Sequence, residues 1–264
     1  MDVLFRPARA AGRFLVVDAL ASWTRTEHTA DVAGRPTTHP VWRKGVGPGV
    51  IVVHEIPGIT PEVAAFAEEV VAAGHTVLMP SLFGTDGAPM TAASTARALG
   101  RVCVSREFTK LRTGETAPVA GWLRSLARDL HAEVGGPGVG ALGMCFTGGF
   151  ALAMMVDPSV TAPVLCQPSA PFAVTPGRSR DLNLSPGDLD IVKGRCAAGQ
   201  QVLGLRFRSD PAVGKRFETL TTELGEAFIR VEFEGKGHST VTTHRQQAGV
   251  DAVLDFFREK LAAG

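Results

Sequence analysis

Short, mostly apolar runs recur along the 264-residue chain, separated by longer stretches of helical pattern. GVIVVHE (49–55), TVLMP (76–80), VGALGM (139–144), APVLCQP (162–168), QVLGLRF (201–207) and FIRVEFE (228–234) are too short for buried helices, and most are too apolar for strands with one wet face. They read as strands covered on both sides. The helical stretches between them supply the cover, which predicts an α/β fold: a mostly parallel central sheet, helices on both faces and right-handed crossovers. Ahead of the first run, residues 26–43 alternate loosely around a Gly-Arg-Pro turn signal. That pattern predicts a hairpin forming an antiparallel edge at the N-terminal side of the sheet.

Helix boundaries are legible where the capping chemistry is strong. Thr60, Pro61 and Gly74 are the N-cap, first position and stop of a helix over 60–74. Further helices are expected over about 118–134, 147–156, 212–224 and 251–261, with one opening at Ser185 and running to about Cys196. The segments 80–117 and 167–187 match neither period, and long ordered connections of this kind often shape binding sites. Without repeats or low-complexity linkers, the expected organisation is an N-terminal extension, residues 1–25, followed by one domain over 26–264.

Charge excludes several classes of function. Lys and Arg total 27 against 26 Asp and Glu, a net charge of +1, with the arginines scattered. This is not the footprint of a nucleic-acid or membrane-surface protein, and most arginines read as solvated surface. No apolar run approaches the roughly 20 residues that span a bilayer, and no signal peptide is expected. Four cysteines (103, 145, 166, 196) lie at least 21 residues apart with no CxxC pair, so neither a disulfide framework nor a metal site is expected. A cytoplasmic setting follows from the same reading.

The stretch GALGMCFTGGFALAMM (140–155) places a cysteine between glycines where a strand gives way to a helix. Gly138, Gly140 and Gly143 match a dinucleotide fingerprint only in spacing, since they precede or lie within the strand instead of opening the helix. The pattern fits the nucleophile elbow G-x-Nu-x-G better, with Cys145 as nucleophile, although Thr147 stands where the second glycine is usual. The helix N-terminus beyond it favours thiolate. A buried structural cysteine is the alternative. A thiol nucleophile needs a base and an orienting acid, in the chain order nucleophile, acid, histidine. His238 directly follows the strand FIRVEFE and is the candidate base; His244 reads as surface at the entry of the last helix. Asp210, just past QVLGLRF, is the candidate acid, its alternative being a helix N-cap ahead of Pro211.

With VVHEIPGITPEVAAFAEEVVAAGHTVLMPSLFG, GALGMCFTGG, RSDPAV and KGHS in hand, the chain resembles the dienelactone hydrolase family of α/β-hydrolases over about residues 48–262. The resemblance implies the α/β-hydrolase fold. It also implies an oxyanion hole made by the N–H groups of Ile56 and Phe146, and a Glu55 that contacts the resting thiol and gates its ionisation. Family members acting on dienelactones carry two arginines for the substrate carboxylate. Here Thr85 and its neighbours, and Thr242, stand in their places, which argues against a small anionic lactone. Gln167 and Ser169, at a strand end, are candidates for substrate contact. Arg106, with Arg101 and Arg112, is the candidate for a cation supplied from elsewhere, the alternative being solvated surface.

The expected function is therefore cofactor-independent hydrolysis of a small-molecule ester or lactone by a Cys145–His238–Asp210 triad, in a monomer or small homo-oligomer with no nucleic-acid or membrane partner. Acyl transfer, lactone formation or another tailoring step on the same site is the alternative within enzymology. A non-catalytic binding protein on the same scaffold is the alternative outside it.

Overall fold

The computed structural model describes residues 19–108 and 112–262. Most of the expected N-terminal extension, residues 1–18, therefore lies outside the described residues. The chain forms one eight-stranded sheet from β1 (Thr24–Val32), β2 (Arg35–Lys44), β3 (Gly49–Val53), β4 (Thr76–Pro80), β5 (Val139–Met144), β6 (Val160–Cys166), β7 (Val202–Phe207) and β8 (Phe228–Phe233). Their order across the sheet is β1-β2-β4-β3-β5-β6-β7-β8. β1 and β2 are antiparallel to each other and β2 to β4, while every other pair is parallel.

The helices are α1 (Pro61–Ala72), α2 (Ala92–Val104), α3 (Val119–Val134), α4 (Gly148–Met154), α5 (Pro176–Arg180), α6 (Pro186–Ala197), α7 (Arg216–Leu224) and α8 (Gln247–Leu261). Strand side chains alternate between two cores. Val50, Val52, Leu142 and Met144 point to a layer built with α1 and α8, in which Val63, Phe66, Val253 and Phe257 are buried. Ile51, Val53, Val139 and Ala141 point to the opposite layer, with Trp122, Leu123, Phe150 and Phe217 from α3, α4 and α7. Each such large side chain stabilises by about 1.5–3 kcal/mol on burial. Both faces being dry is why β3, β4, β5 and β6 are buried along their whole length, whereas the edge strand β8 carries Arg230 and Glu232 and is mostly part-exposed.

Several local expectations shift. The hairpin turn is Ala33-Gly34, not Gly-Arg-Pro: both residues sit at positive φ (53° and 79°), as a two-residue connection between twisted strands requires, and Arg35 already pairs with Val32. The segment 80–117 contains α2, of which only Ala98 and Val102 are buried and which opens on a capping box, Thr91 with Ser94, where Glu or Gln is the usual partner. α5 likewise appears within 167–187 as five residues with none buried. α7 starts at Arg216, four residues later than expected, because the Asp210 side chain accepts from Ala212 N (2.9 Å) and holds a turn there. Among the described residues no helix is long and apolar enough to cross a membrane.

The order of strands reverses at β3. The chain leaves β3 through α1 to reach β4 on one side, and returns to place β5 on the other. Such a switch point opens a crevice at the carboxyl ends of the two strands. Glu55 and Ile56 follow β3 there, and Cys145 follows β5.

Candidate active site

β5 delivers Cys145 into a tight turn. Met144 is still extended (φ −127°), Cys145 stands at φ +53°, and a short 3-10 turn over Cys145–Thr147 leads into α4. A non-glycine residue in the left-handed region costs about 1–3 kcal/mol and persists only where its surroundings enforce it. Two glycines make the turn sterically feasible. A Cβ on Gly143 would lie 2.1 Å from the Thr147 carbonyl oxygen, and one on Gly148 would lie 2.6 Å from Pro168 Cα.

Thr147 explains the departure from the usual motif. Its buried hydroxyl accepts from Met144 N (3.0 Å) and sits 3.1 Å from both the Val53 and His54 carbonyl oxygens, to either of which it can donate. A glycine here would leave the elbow unattached to the end of β3. Thr147→Val should destabilise the protein by about 1–3 kcal/mol, because the buried Met144 N–H loses its acceptor; a urea midpoint equal to that of the parent would exclude this role.

The imidazole of His238 joins the thiol to a carboxylate. His238 Nδ1 lies 2.6 Å from Asp210 Oδ2, and the ring lines the same cleft as the Cys145 thiol. Asp210 is buried, and its other oxygen accepts from Ala212 N, so the residue serves as acid partner and turn cap together. Burial alone would depress the imidazole, but the hydrogen bonds and charges of Asp210 and Cys145 outweigh it and push the group up to about 10. With Nδ1–H directed at the carboxylate, Nε2 is left for the thiol.

Glu55 has different partners from those the resemblance implies. Its carboxylate is buried and accepts from Ser239 Oγ (2.7 Å), from Thr242 Oγ1 and, more weakly, from Gln167 Nε2 (3.5 Å). The backbone of Glu55 is fixed through His54, which is fully buried. His54 Nε2 accepts from Leu82 N (3.1 Å), so Nδ1 carries the proton and donates to the Glu55 carbonyl (3.0 Å). Burial pushes this imidazole down to about 4, which keeps the neutral tautomer that the two bonds need. Cys166 is also buried, and burial reinforced by the Glu55 charge pushes its thiol far up, so it remains protonated.

Cys145, His238, Glu55 and Ile56 open onto one cleft of about 330 Å³. Its walls are largely apolar: Met90 and Leu99 on the α2 side, Phe172 and Ala173 from the 167–187 segment, and Ala212 beside Asp210. Polar atoms come from Thr95, Ser169, Ser239, Thr243 and His244. The structure thus brings Cys145, Asp210 and His238 together, with Ile56 lining the same space. Phe146 is buried, its ring packed edge-on against Phe83, Phe108 and Phe150. Ile56 N follows the end of β3 and Phe146 N follows Cys145, on the two sides of the same crevice.

Three expected substrate contacts fare differently. Ser169 lines the cleft, where its N–H donates to the Cys145 carbonyl (2.9 Å) and its hydroxyl to the Gln167 carbonyl (2.8 Å). Gln167 is wholly buried behind the cleft, because its side-chain oxygen is taken by Thr240 N (3.2 Å) and Thr240 Oγ1 (2.8 Å). Arg106 lines a separate cavity with Val32, Ala33 and Arg35 at the β1–β2 turn. The neighbouring Glu107 pairs with His39 of β2 (2.8 Å), which ties this segment to the hairpin and away from Cys145. His244, read as surface, is exposed yet forms part of the rim, its Nδ1 accepting from His238 N (3.4 Å). Only its spacing of six residues from His238 could have suggested it. Among the described residues no group of three or more His, Cys, Asp or Glu side chains is placed to hold a metal ion.

Comparison with known proteins fits this arrangement. Solved structures with the same fold include a cold-adapted esterase from an Arctic intertidal metagenomic library (16% identity over 92% of this chain and 96% of that one, TM-score 0.59). A dienelactone hydrolase-like promiscuous phosphotriesterase from metagenomic libraries is similar at 17% identity, covering 91% and 99%, with TM-score 0.62. A dienelactone hydrolase from Anabaena variabilis matches at 16%, again covering 91% and 99%, with TM-score 0.61. At these identities the likeness is one of fold, that of the α/β-hydrolases. No curated protein matches the sequence significantly. Residues 37–176, more than half of the chain and including β3, the loop bearing Glu55 and Ile56, and the whole Cys145 elbow, match the dienelactone hydrolase family, and the protein belongs to that family.

Proposed function

We propose that the protein is a cofactor-independent hydrolase of an uncharged ester or lactone, working through an acyl-enzyme on Cys145. The observation that carries this reading is the His238 imidazole, 2.6 Å from Asp210 and sharing one cleft with a thiol mounted on a positive-φ elbow. Cys145 Sγ, its proton already carried by His238 Nε2, attacks the acyl carbon, while the carbonyl π pair moves onto oxygen. The N–H groups of Ile56 and Phe146 stabilise that oxyanion, a role supported by their places after β3 and after Cys145 at the same crevice. Collapse of the tetrahedral adduct breaks the C–O bond, and the alkoxide leaves with the proton from His238. Water then attacks the thioester, passing its proton to His238, and the thiolate is expelled as the acid forms.

The cleft supports the choice of substrate. Among the described residues no arginine or lysine lines it, and Met90, Leu99, Phe172 and Ala173 offer an apolar bed for an acyl or aryl group. Ser169 remains the candidate polar contact. None of the four cysteines is in a disulfide, which supports a reducing, cytoplasmic setting.

Intact-protein mass after brief exposure to uncharged aryl esters and enol lactones tests the reading. Wild type is expected to gain the acyl mass and turn the esters over, and Cys145→Ala to do neither. Full turnover by Cys145→Ala would overturn the mechanism. A new ester formed with an added alcohol, in preference to the acid, would replace hydrolysis by acyl transfer.

A further inference from the structure

His238 sits on an irregular segment between β8 and α8 and is itself part-exposed, so something must hold it against Asp210 and Cys145. Directly after it, Ser239, Thr240 and Thr242 are all buried. Each of their hydroxyls ends on one of two side chains. Ser239 and Thr242 donate to the two oxygens of Glu55, and Thr240 donates through both its hydroxyl and its N–H to Gln167 Oε1. Gln167 Nε2 in turn reaches Glu55 at 3.5 Å, a weak link between the two.

Two further observations show that this is a built arrangement. Glu55 is 1% exposed and Gln167 wholly buried, so neither is available as a surface group, and burying a carboxylate is costly unless its oxygens are satisfied. Gln167 is also held at φ +36°, a backbone conformation that a non-glycine residue adopts only under constraint. Its N–H donates to the Leu205 carbonyl (2.7 Å) on β7, the strand that leads to Asp210. The same residue thus fixes the acid's strand and the histidine's segment.

We propose that Glu55 and Gln167 are positioning residues that form a buried cradle for the segment 239–242 and thereby set the place of His238. This rests on the hydrolase reading above. It gives Glu55 work that depends on accepting hydrogen bonds from two hydroxyls, not on a charge acting at the Cys145 thiol. An amide can take over most of that work, since its oxygen accepts from one hydroxyl and its N–H donates to the oxygen of the other. If charge at the thiol were the role, the amide would be no better than alanine.

Steady-state hydrolysis of one uncharged aryl ester by Glu55→Gln, Glu55→Ala, Thr242→Val and Thr242→Ser separates the two. Glu55→Ala is expected to lose about a hundredfold in kcat, the scale of a small misplacement of a reacting group, with KM within about threefold. Glu55→Gln is expected to keep more than about a tenth of wild-type kcat, since its amide still meets both hydroxyls. Thr242→Val should fall and Thr242→Ser recover, a pair that carries the test if Glu55→Ala does not fold. Equal impairment of Glu55→Gln and Glu55→Ala, or wild-type kcat in Thr242→Val, overturns the cradle. With Cys145→Ala inactive in the same assay, only the cradle would then fall; an active Cys145→Ala would instead remove the hydrolase reading.

Discussion

Asp210→Asn is expected to lower kcat by about 10²- to 10⁴-fold while leaving the fold intact. The asparagine oxygen can keep the bond from Ala212 N, which directs its NH2 group towards His238 Nδ1. Two donors would then face each other. The imidazole can relieve this only by moving its proton to Nε2, the nitrogen that must receive the proton of Cys145. The pH dependence changes as well. In the parent, Asp210 and Cys145 together push His238 from 6.5 up to about 10 against the downward pull of burial. Without the Asp210 charge, burial gains weight and the imidazole titrates lower. Because the folded-state value is raised, the stabilisation from protonated His238 is complete below 6.5 and is lost as pH rises through about 10. The stability difference between parent and Asp210→Asn should therefore be largest below pH 6.5 and shrink towards pH 10, as denaturant midpoints across that range would show. A kcat within threefold of the parent would remove Asp210 from the mechanism, the scale of change expected of a bystander being about that.

Arg216→Met should cost about 3–5 kcal/mol of stability. Arg216 is 1% exposed, yet its guanidinium meets backbone carbonyls and no carboxylate. It donates to Asp181 (2.8 Å), Val213 (2.9 Å), Ala212 (3.1 Å), Arg178 (2.8 Å) and Pro171. Burial pulls the group down to about 10, still charged at neutral pH. Methionine fills much of the volume but leaves these carbonyls without their donor, so the loss reports hydrogen bonding more than packing. For a domain of this size that corresponds to roughly 6–20 °C in Tm. The same carbonyls belong to the segment bearing Phe172 and to the turn after Asp210, so the cleft wall and the acid loosen together. A Tm within 2 °C of the parent would contradict the account, since that is roughly the effect of a surface change.

These two residues mark where the sequence was readable and where it was not. VGALGM and its sister strands are apolar because both faces of the sheet are covered, and that rule acts on consecutive residues. The elbow was legible from Gly143, Cys145 and the change of period, and Asp210 and His238 from their places just beyond strands. Arg216 carries no such signal. Its partners are carbonyls up to 45 residues away, which any sequence possesses, so nothing in the sequence separates it from an arginine on the solvated surface. Gln167 was assigned to substrate for its place at a strand end, but its partner Thr240 lies 73 residues further on and only the folded sheet brings the two together. α2 escaped because its capping box pairs Thr91 with Ser94 in place of the usual Glu or Gln, inside a stretch rich in Gly, Pro, Ser and Thr, and only Ala98 and Val102 of it are buried.

That thin anchorage makes α2 a partition. Thr95 and Leu99 form part of the wall of the cleft at Cys145, while Ser94, Arg97 and Arg101 border a second cavity of about 280 Å³ beside the loops at Gly58 and Gly84. The candidate groups stand at strand ends behind this helix, so changes in α2 would reshape the cleft while the sheet that carries Cys145, Asp210 and His238 stays as it is.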